Sequence, residues 1–459
     1  MPSPRRFGPT RRRIALAAVS AVVALVFLTA GCGPVADLVD GRLNRTAEPP
    51  ERMPGPAAQA VHNRLMVADL HADTLLWRRG ISAAEVARGH VDLPRLRRGN
   101  IGLQAFTIAT RVPSSRGGCI AGDNFDPASL LATINGWPTA THDSAYQRAL
   151  HQADRLNDAA AANASGPAVQ LRVIRSDQNL RAWRAARFPS PGVVDASVVA
   201  VVLGLEGSHA LNDTVGAELD ELYRRGLRMI APTHRFDNAF GRSSEGCGVA
   251  GSDSQQRGLT ELGRQLIRGA IDRRMIVDVS HSSTQAVMDS ATIAGPARHP
   301  LLVSHGGLRS FLVAQPACCQ GHANRASVDD ELIAIAQTGG VFGMGFWKAV
   351  IGTDDVEHIV AAIRHALAVL QPHVGQPPRA PGFHTIRRAS QHVGLGSDWD
   401  GAVRTAIHAG QVGLITEGLL AAGVPEQQIA DIMGLNVCRV FAQSLGRTTF
   451  DEALRLCGG

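Results

Sequence analysis

The chain has 459 residues, of which 45% are hydrophobic and 19% charged. That apolar share supplies a sizeable core and excludes a disordered or collagen-like chain; the length admits one large barrel or two to three ordinary domains. The formal charge of +6 is concentrated at the start, in Arg5, Arg6, Arg11, Arg12 and Arg13. The remainder is close to neutral and lacks the dense basic face of a nucleic-acid-binding protein.

In chain order, Arg11-Arg12-Arg13 precede an apolar run from Ile14 to Leu28, and Thr29-Ala30-Gly31-Cys32 follow. Basic, apolar and small residues in that order read as a secretory signal over 1–31, and the run is shorter than the roughly 20 residues of a spanning helix. Its end resembles a bacterial lipobox, with Cys32 as the lipidated residue. A lipid there would anchor an exported protein to the outer face of the bacterial cytoplasmic membrane, or place it in the periplasm or at the cell surface. An ordinary signal peptide or a short anchor fits the same residues, and Arg12-Arg13 also admit twin-arginine export. The six other cysteines, Cys119, Cys247, Cys318, Cys319, Cys438 and Cys457, permit up to three disulfides in any of about 15 connectivities. Residues 32–58, rich in Pro, Gly, Arg and Glu, read as a flexible tether. Residues 59–459 read as one folded domain.

Within that domain, short β-branched runs predict strands near Leu65–Asp69, Ile101–Thr107, Val198–Leu205, Arg228–Pro232, Met275–Val279, Leu301–Ser304, Gly340–Gly345 and Val393–Gly396. Amphipathic stretches between them, such as Gly258–Arg273, Val328–Gln337 and Val356–Leu370, predict helices. Most of the strands are continuously apolar, as both faces of a parallel sheet are buried. Eight of them fit an α/β chain closed into a (β/α)₈ barrel; the rival is an open doubly wound sheet. No G-x-G-x-x-G or P-loop accompanies them. The longest gap reads as an insertion around 108–195 with helices of its own.

Ionisable residues directly follow these apolar runs. Strand one leads into His71 and Asp73, strand three into Glu206, strand four into His234, strand five into His281, strand six into His305 and strand eight into Asp398 and Asp400. In a barrel these ends converge on one mouth, and His, Asp and Glu there form a ligand set for a divalent metal. Residues two apart in an extended chain point the same way, so His71 and Asp73 project together. Glu206 is the candidate to bridge two ions, since the single lysine, Lys348, follows strand seven and cannot supply a carboxylated bridge. His209, His322 and His392 read as non-ligands.

Leu70-His71-Ala72-Asp73, His90-Val91-Asp92-Leu93-Pro94-Arg95-Leu96, Leu205-Glu206-Gly207, Thr233-His234, Val277-Asp278-Val279-Ser280-His281-Ser282-Ser283, Val303-Ser304-His305 and Gly394-Leu395-Gly396-Ser397-Asp398-Trp399-Asp400-Gly401 follow one another in an order that resembles the membrane (renal) dipeptidase family of zinc peptidases, family M19. The resemblance runs from about Val61 to Phe441. It implies a metal-dependent amidohydrolase barrel with two zinc ions, and hydrolysis of dipeptides that carry a free C-terminal carboxylate, a D-residue included. It further implies His71 and Asp73 on one zinc, His281 and His305 on the other, and Glu206 between them. His234 would contact substrate and stabilise the oxyanion, Arg325 would hold the substrate carboxylate, and Asp398 would shuttle the proton, with Asp400 as the alternative. Val112–Trp137 and Ser310–His322 depart from the family pattern, as does Arg235-Phe236 after His234. Three functions therefore stand: the dipeptidase, a related zinc amidohydrolase acting on another small amide or ester, and a lipoprotein that uses the barrel to bind a ligand. Homodimerisation is open.

Overall fold

The computed structural model describes residues 33–112, 126–165, 168–246, 257–315 and 325–458. Among the described residues nine strands run parallel: β1 (Val67–Ala72), β2 (Ile101–Ala109), β3 (Gln170–Val173), β4 (Val198–Glu206), β5 (Leu227–Ile230), β6 (Ile276–Asp278), β7 (Leu301–Gly306), β8 (Val341–Met344) and β9 (Val393–Leu395). Their order is β2-β1-β9-β8-β7-β6-β5-β4, and β2 pairs with β4 from Leu103↔Ala200 to Ala109↔Glu206, closing a ring of eight. This is the expected (β/α)₈ barrel, and each of its eight strands lies where an apolar run predicts one. Helices cross between strands, and several begin at the polar residue that interrupts the periodicity. Thr260, Ser283 and Asp355 accept from the backbone N–H groups of Gly263, Ala286 and His358, capping the helices Glu261–Asp272, Thr284–Ala294 and Val356–Leu370.

β3 was not anticipated. It pairs with the first half of β4, Gln170↔Val198 to Val173↔Val201, outside the ring. Of its four residues only Leu171 is buried, so it presents no continuous apolar run to read. With the helices Pro127–Ile134, Ala145–Ala162 and Asp177–Arg187, it belongs to the long excursion between β2 and β4.

The segment read as a flexible tether is folded. Gly33–Leu43 is a helix, and its Asp40 is buried against Arg79 (Oδ2 to Nε 2.8 Å). Farther on, Ala47 N donates to Thr405 O (2.9 Å) and Glu48 N to Ala406 O (2.9 Å), so the chain lies along the β9 loop. Composition misleads here because a charged side chain is costly to bury unless paired, and the partner is 39 residues away in sequence. The segment 1–31, Cys32, Cys119, Cys247, Cys318, Cys319 and His322 lie outside the described residues. Cys438 and Cys457 form a disulfide joining the helices Asn436–Gly446 and Phe450–Cys457. Among the described residues no helix is long and apolar enough to cross a membrane.

Candidate metal centre

Five strand ends converge on one buried cluster. His71 is on β1 and Asp73 one residue beyond it; Glu206 ends β4; His305 lies within β7. His281 follows β6 and Asp398 follows β9, both in the left-handed backbone region, with φ of 59° and 59°. That conformation turns each side chain off the strand direction and back over the barrel mouth. Gly207, with φ of 79°, is needed after Glu206 because a Cβ there would lie 2.7 Å from the Cβ of His234.

The donor atoms approach closely. Glu206 Oε1 stands 3.1 Å from His281 Nε2, 3.4 Å from His305 Nε2 and 3.7 Å from His71 Nε2. His71 Nε2 lies 3.5 Å from Asp73 Oδ2 and 3.9 Å from Asp398 Oδ1. Three groups among the described residues could each hold a metal ion: His71, Asp73 and Glu206; Glu206, His281 and His305; and His71, His305 and Asp398. The first two share Glu206 and no other residue.

Electrostatics tests whether a cation belongs there. Burial drives the Glu206 carboxyl well above the usual carboxylate range, and Asp73 adds to the rise. Burial disfavours a charged His71, yet the carboxylates of Glu206 and Asp73 outweigh it and push the ring up to about 10. Burial holds His281 and His305 well below the usual value, with Arg325 and His71 respectively as the next contributions. Buried acids crowded against the neutral rings of His281 and His305 are costly alone and fit a borderline divalent cation, which would neutralise the acids, ligate those rings and displace the proton of His71.

A polar layer fixes these rings. Thr107 Oγ1 donates to Asp73 Oδ1 (2.6 Å), and Ser304 Oγ lies 3.2 Å from His71 Nδ1 and 2.9 Å from His305 Nδ1. Asp69, beneath His71, receives Gln104 Nε2 (2.6 Å) and Ser397 N (2.8 Å), tying β1 to β2 and β9. Sequence reading missed Thr107, Ser304 and Asp69 as site residues, because a threonine, serine or aspartate on a strand carries no distinguishing spacing. Glu245 was missed for another reason: it lies in a loop, yet its Oε2 is 3.3 Å from His281 Nδ1 and 3.0 Å from Arg235 Nε.

The remaining candidates separate. His234 joins the cluster, with Nε2 3.5 Å from Glu206 Oε2 and Nδ1 3.0 Å from Arg111 O. A carbonyl only accepts, so Nδ1 carries the proton and Nε2 is bare in the neutral ring. Arg325 reaches the same place: its Nη2 donates to His305 O (2.9 Å) and stands 3.2 Å from His281 Nε2, with Trp347 packed at 5.8 Å. Among the described residues this buried guanidinium has no carboxylate in ion-pair contact. Asp398 lies at the cluster, and burial pushes its carboxyl up to about 7, against the pull of His71. Asp400 turns the other way. It is held by Arg79 Nη2 (2.6 Å), His90 N (2.7 Å) and Thr74 Oγ1 (2.7 Å), and despite burial Arg79 keeps its pKa far below the usual range. His392 binds Gly340 O at the start of β8, away from the cluster, and His209 is in none of the three candidate groups.

Residues 56–376 and 384–449 match the family model for membrane dipeptidase, peptidase family M19. The dipeptidase verJ of Clonostachys rogersoniana is 28% identical over 247 residues, 53% of this chain and 54% of that protein. An uncharacterized dipeptidase of Schizosaccharomyces pombe is 29% identical over 254 residues, 54% of this chain and 53% of that protein. The match thus spans about half the length of these curated relatives. Among solved structures, the probable dipeptidase PvdM of Pseudomonas aeruginosa has a TM-score of 0.62 at 18% identity, over 85% of this chain and 98% of that one. A metallo peptidase from Rhodobacter sphaeroides, liganded with a phosphinate mimic of the dipeptide L-Ala-D-Ala, has a TM-score of 0.57 at 20% identity, over 83% and 99%. Those likenesses carry the fold, and the match across most of the sequence carries the family: the chain belongs to the membrane dipeptidase family, peptidase family M19.

Proposed function

We propose that this protein is a dipeptidase with a centre for two zinc ions, hydrolysing dipeptides that have a free C-terminal carboxylate. The observation that carries the reading is the pair of donor sets, His71–Asp73–Glu206 and Glu206–His281–His305, that meet at one carboxylate. His71 and Asp73 would hold one ion, His281 and His305 the other, and Glu206 both. When bound, the ions supply Lewis acidity, polarising the scissile carbonyl and acidifying a water toward neutral pH.

The protein groups supply the rest. Asp398, close to neutral in its pKa, takes a proton from the attacking water and returns it to the leaving amine. Two bound cations would pull its pKa back toward the carboxylate range and favour the base form. His234, its ring fixed by the Nδ1 bond to Arg111 O, would contact the substrate at the carbonyl oxygen on which negative charge develops. Arg325 meets the substrate carboxylate with a planar fork of donors, and the absence of an ion-pair partner among the described residues supports that role. Tolerance of a D-residue is in keeping with the ligand of the Rhodobacter sphaeroides structure.

The test uses the soluble chain from Gly33 onward with added zinc. Expected are about two zinc ions per chain and release of amino acid from L-Ala-D-Ala and L-Ala-L-Ala. Amidation of the substrate C-terminus, or Arg325→Ala, should each lower kcat/KM by roughly 10²-fold or more, the scale of a lost buried charge-assisted pair. Equal turnover of free and amidated substrates would reject the carboxylate clamp and favour a general amidohydrolase. Zinc binding without turnover of either would favour a ligand-binding role. Lipid attachment at Cys32 is part of the same proposal, checked by the mass of the N-terminal peptide from the full-length protein expressed in a bacterium. An unmodified or cleaved-away Cys32 would reject it.

A further inference from the structure

The loop after β9 carries the proposed proton shuttle and is held in an unusual backbone. Asp398, Asp400 and Ala402 have φ of 59°, 63° and 59°, three non-glycine residues in the left-handed region at alternating positions. Such residues persist only where the surroundings over-determine them. A Cβ at Gly401, between the last two, would lie 2.1 Å from Asp398 Oδ1, so a larger residue there would displace that carboxylate. Part of the restraint comes from the barrel: Asp73 N donates to Trp399 O (2.8 Å), Trp77 Nε1 to Asp400 O (2.6 Å) and Asp400 N to His90 Nδ1 (2.9 Å).

The rest comes from residues 33–48, which precede the family match at residue 56. Ala402 N donates to Asn44 Oδ1 (3.0 Å), and Asn44 Nδ2 donates to Asp40 Oδ1 (2.8 Å). The other oxygen of Asp40 accepts from Arg79 Nε (2.8 Å), whose Nη2 lies 2.6 Å from Asp400 Oδ1. His90, which binds Asp400, donates from Nε2 to Arg45 O (2.9 Å). The same carbonyl accepts from Thr405 N (3.0 Å), and Thr405 O accepts from Ala47 N. Thr405 also bridges Trp347, the ring packed on Arg325 and 5.8 Å from His305. Asp40, Asn44 and Asp400 are each buried, and the side chain of Arg79 is covered as well.

We propose that this N-terminal strap is a working part of the active site: Asp40 and Asn44 are positioning residues that clamp the strained β9 loop and so hold Asp398 against the metal centre. The proposal rests on the dipeptidase reading for its kinetic consequence and on packing alone for the clamp. Positioning matters at this scale because a displacement of about 1 Å at a reacting group costs on the order of 10²-fold in rate.

The experiment compares zinc-loaded chains from Gly33 onward: unmodified, Asn44→Ala, Asp40→Ala, and Leu38→Ser as a control on the exposed side of the same helix, where Leu38 is 69% exposed. Expected for Asn44→Ala and Asp40→Ala are a fall in kcat of roughly tenfold or more, KM within about twofold, and unchanged zinc content. Amides of 398–406 should exchange hydrogen faster in both variants, while Leu38→Ser matches the unmodified chain in every readout. Unchanged kcat, or a fall that tracks lost zinc or lost folded protein, would overturn the positioning role. If Asp40→Ala fails to fold because Arg79 is left with less charge compensation, Asn44→Ala decides, since it removes no charge. Should the unmodified chain cleave no dipeptide, the dipeptidase reading fails and exchange alone decides: faster exchange over 398–406 supports the clamp, and unaltered exchange overturns it.

Discussion

Glu206→Gln is expected to empty the centre and to change stability in opposite directions with and without metal. The Oε1 atom lies within 3.7 Å of three imidazole nitrogens from three strand ends, and both proposed donor sets depend on it. Glutamine keeps the shape but brings an NH₂ group and no negative charge, so it cannot serve two cations. Zinc content should fall from about two to below one per chain, and kcat/KM by roughly 10³-fold or more, matching the several kcal/mol that metal ions supply to such transition states. In excess zinc the variant should melt below the unmodified protein, because binding at ~1,000 times Kd is worth about 4 kcal/mol that only the intact centre collects. In a chelator the order should reverse. Without a cation the buried Glu206 carboxylate, crowded by Asp73, opposes folding, and the neutral amide removes that repulsion. Thermal denaturation in zinc and in chelator checks both halves; the same order in both would reject Glu206 as a shared ligand.

Asp398→Asn and Asp400→Asn, two residues apart, should fail in different ways. Asp398→Asn should lower kcat by 10²- to 10⁴-fold, the range of a lost acid–base group, with zinc content and melting temperature near those of the unmodified chain. Asp400→Asn should instead destabilise by about 3–5 kcal/mol, since it leaves the buried Arg79 guanidinium with Asp40 as its remaining close acid. Its effect also has a pH signature. The folded-state pKa of Asp400 is depressed, Arg79 overcoming burial, so its contribution is present above the unfolded value of about 3.9 and is lost as pH falls below it toward the folded value. Removing the carboxyl should therefore flatten the acid limb of stability below about pH 4, and denaturant titrations at pH 3 and pH 7 measure it. A loss of kcat in Asp400→Asn without loss of stability would reassign the shuttle.

Much of this was legible in the sequence for one physical reason: buried parallel strands must be apolar on both faces, so a His, Asp or Glu at a strand end is conspicuous. His71, Glu206, His281, His305 and Asp398 stand out in that way. His234 does too, although its tautomer, and hence the direction in which Nε2 can bond, depends on Arg111 O across the mouth. Asp398 and Asp400 could not be separated, since both follow the same run and differ only in which neighbours they meet. Arg79 and His90 claim the second, and neither distance in sequence announces it.

The sequence by itself determined eight strands, the ionisable residues at their ends and the candidate donors among them, because those follow from local pattern and from the side-chain period of a strand. Only the tertiary structure decided that β3 stands outside the ring, that Cys438 pairs with Cys457, and that the stretch after Cys32 is folded rather than free. Each of these rests on a partner distant in the chain. A charge such as Asp40 reads as solvated until the guanidinium that neutralises it is brought alongside, and only the folded chain does that.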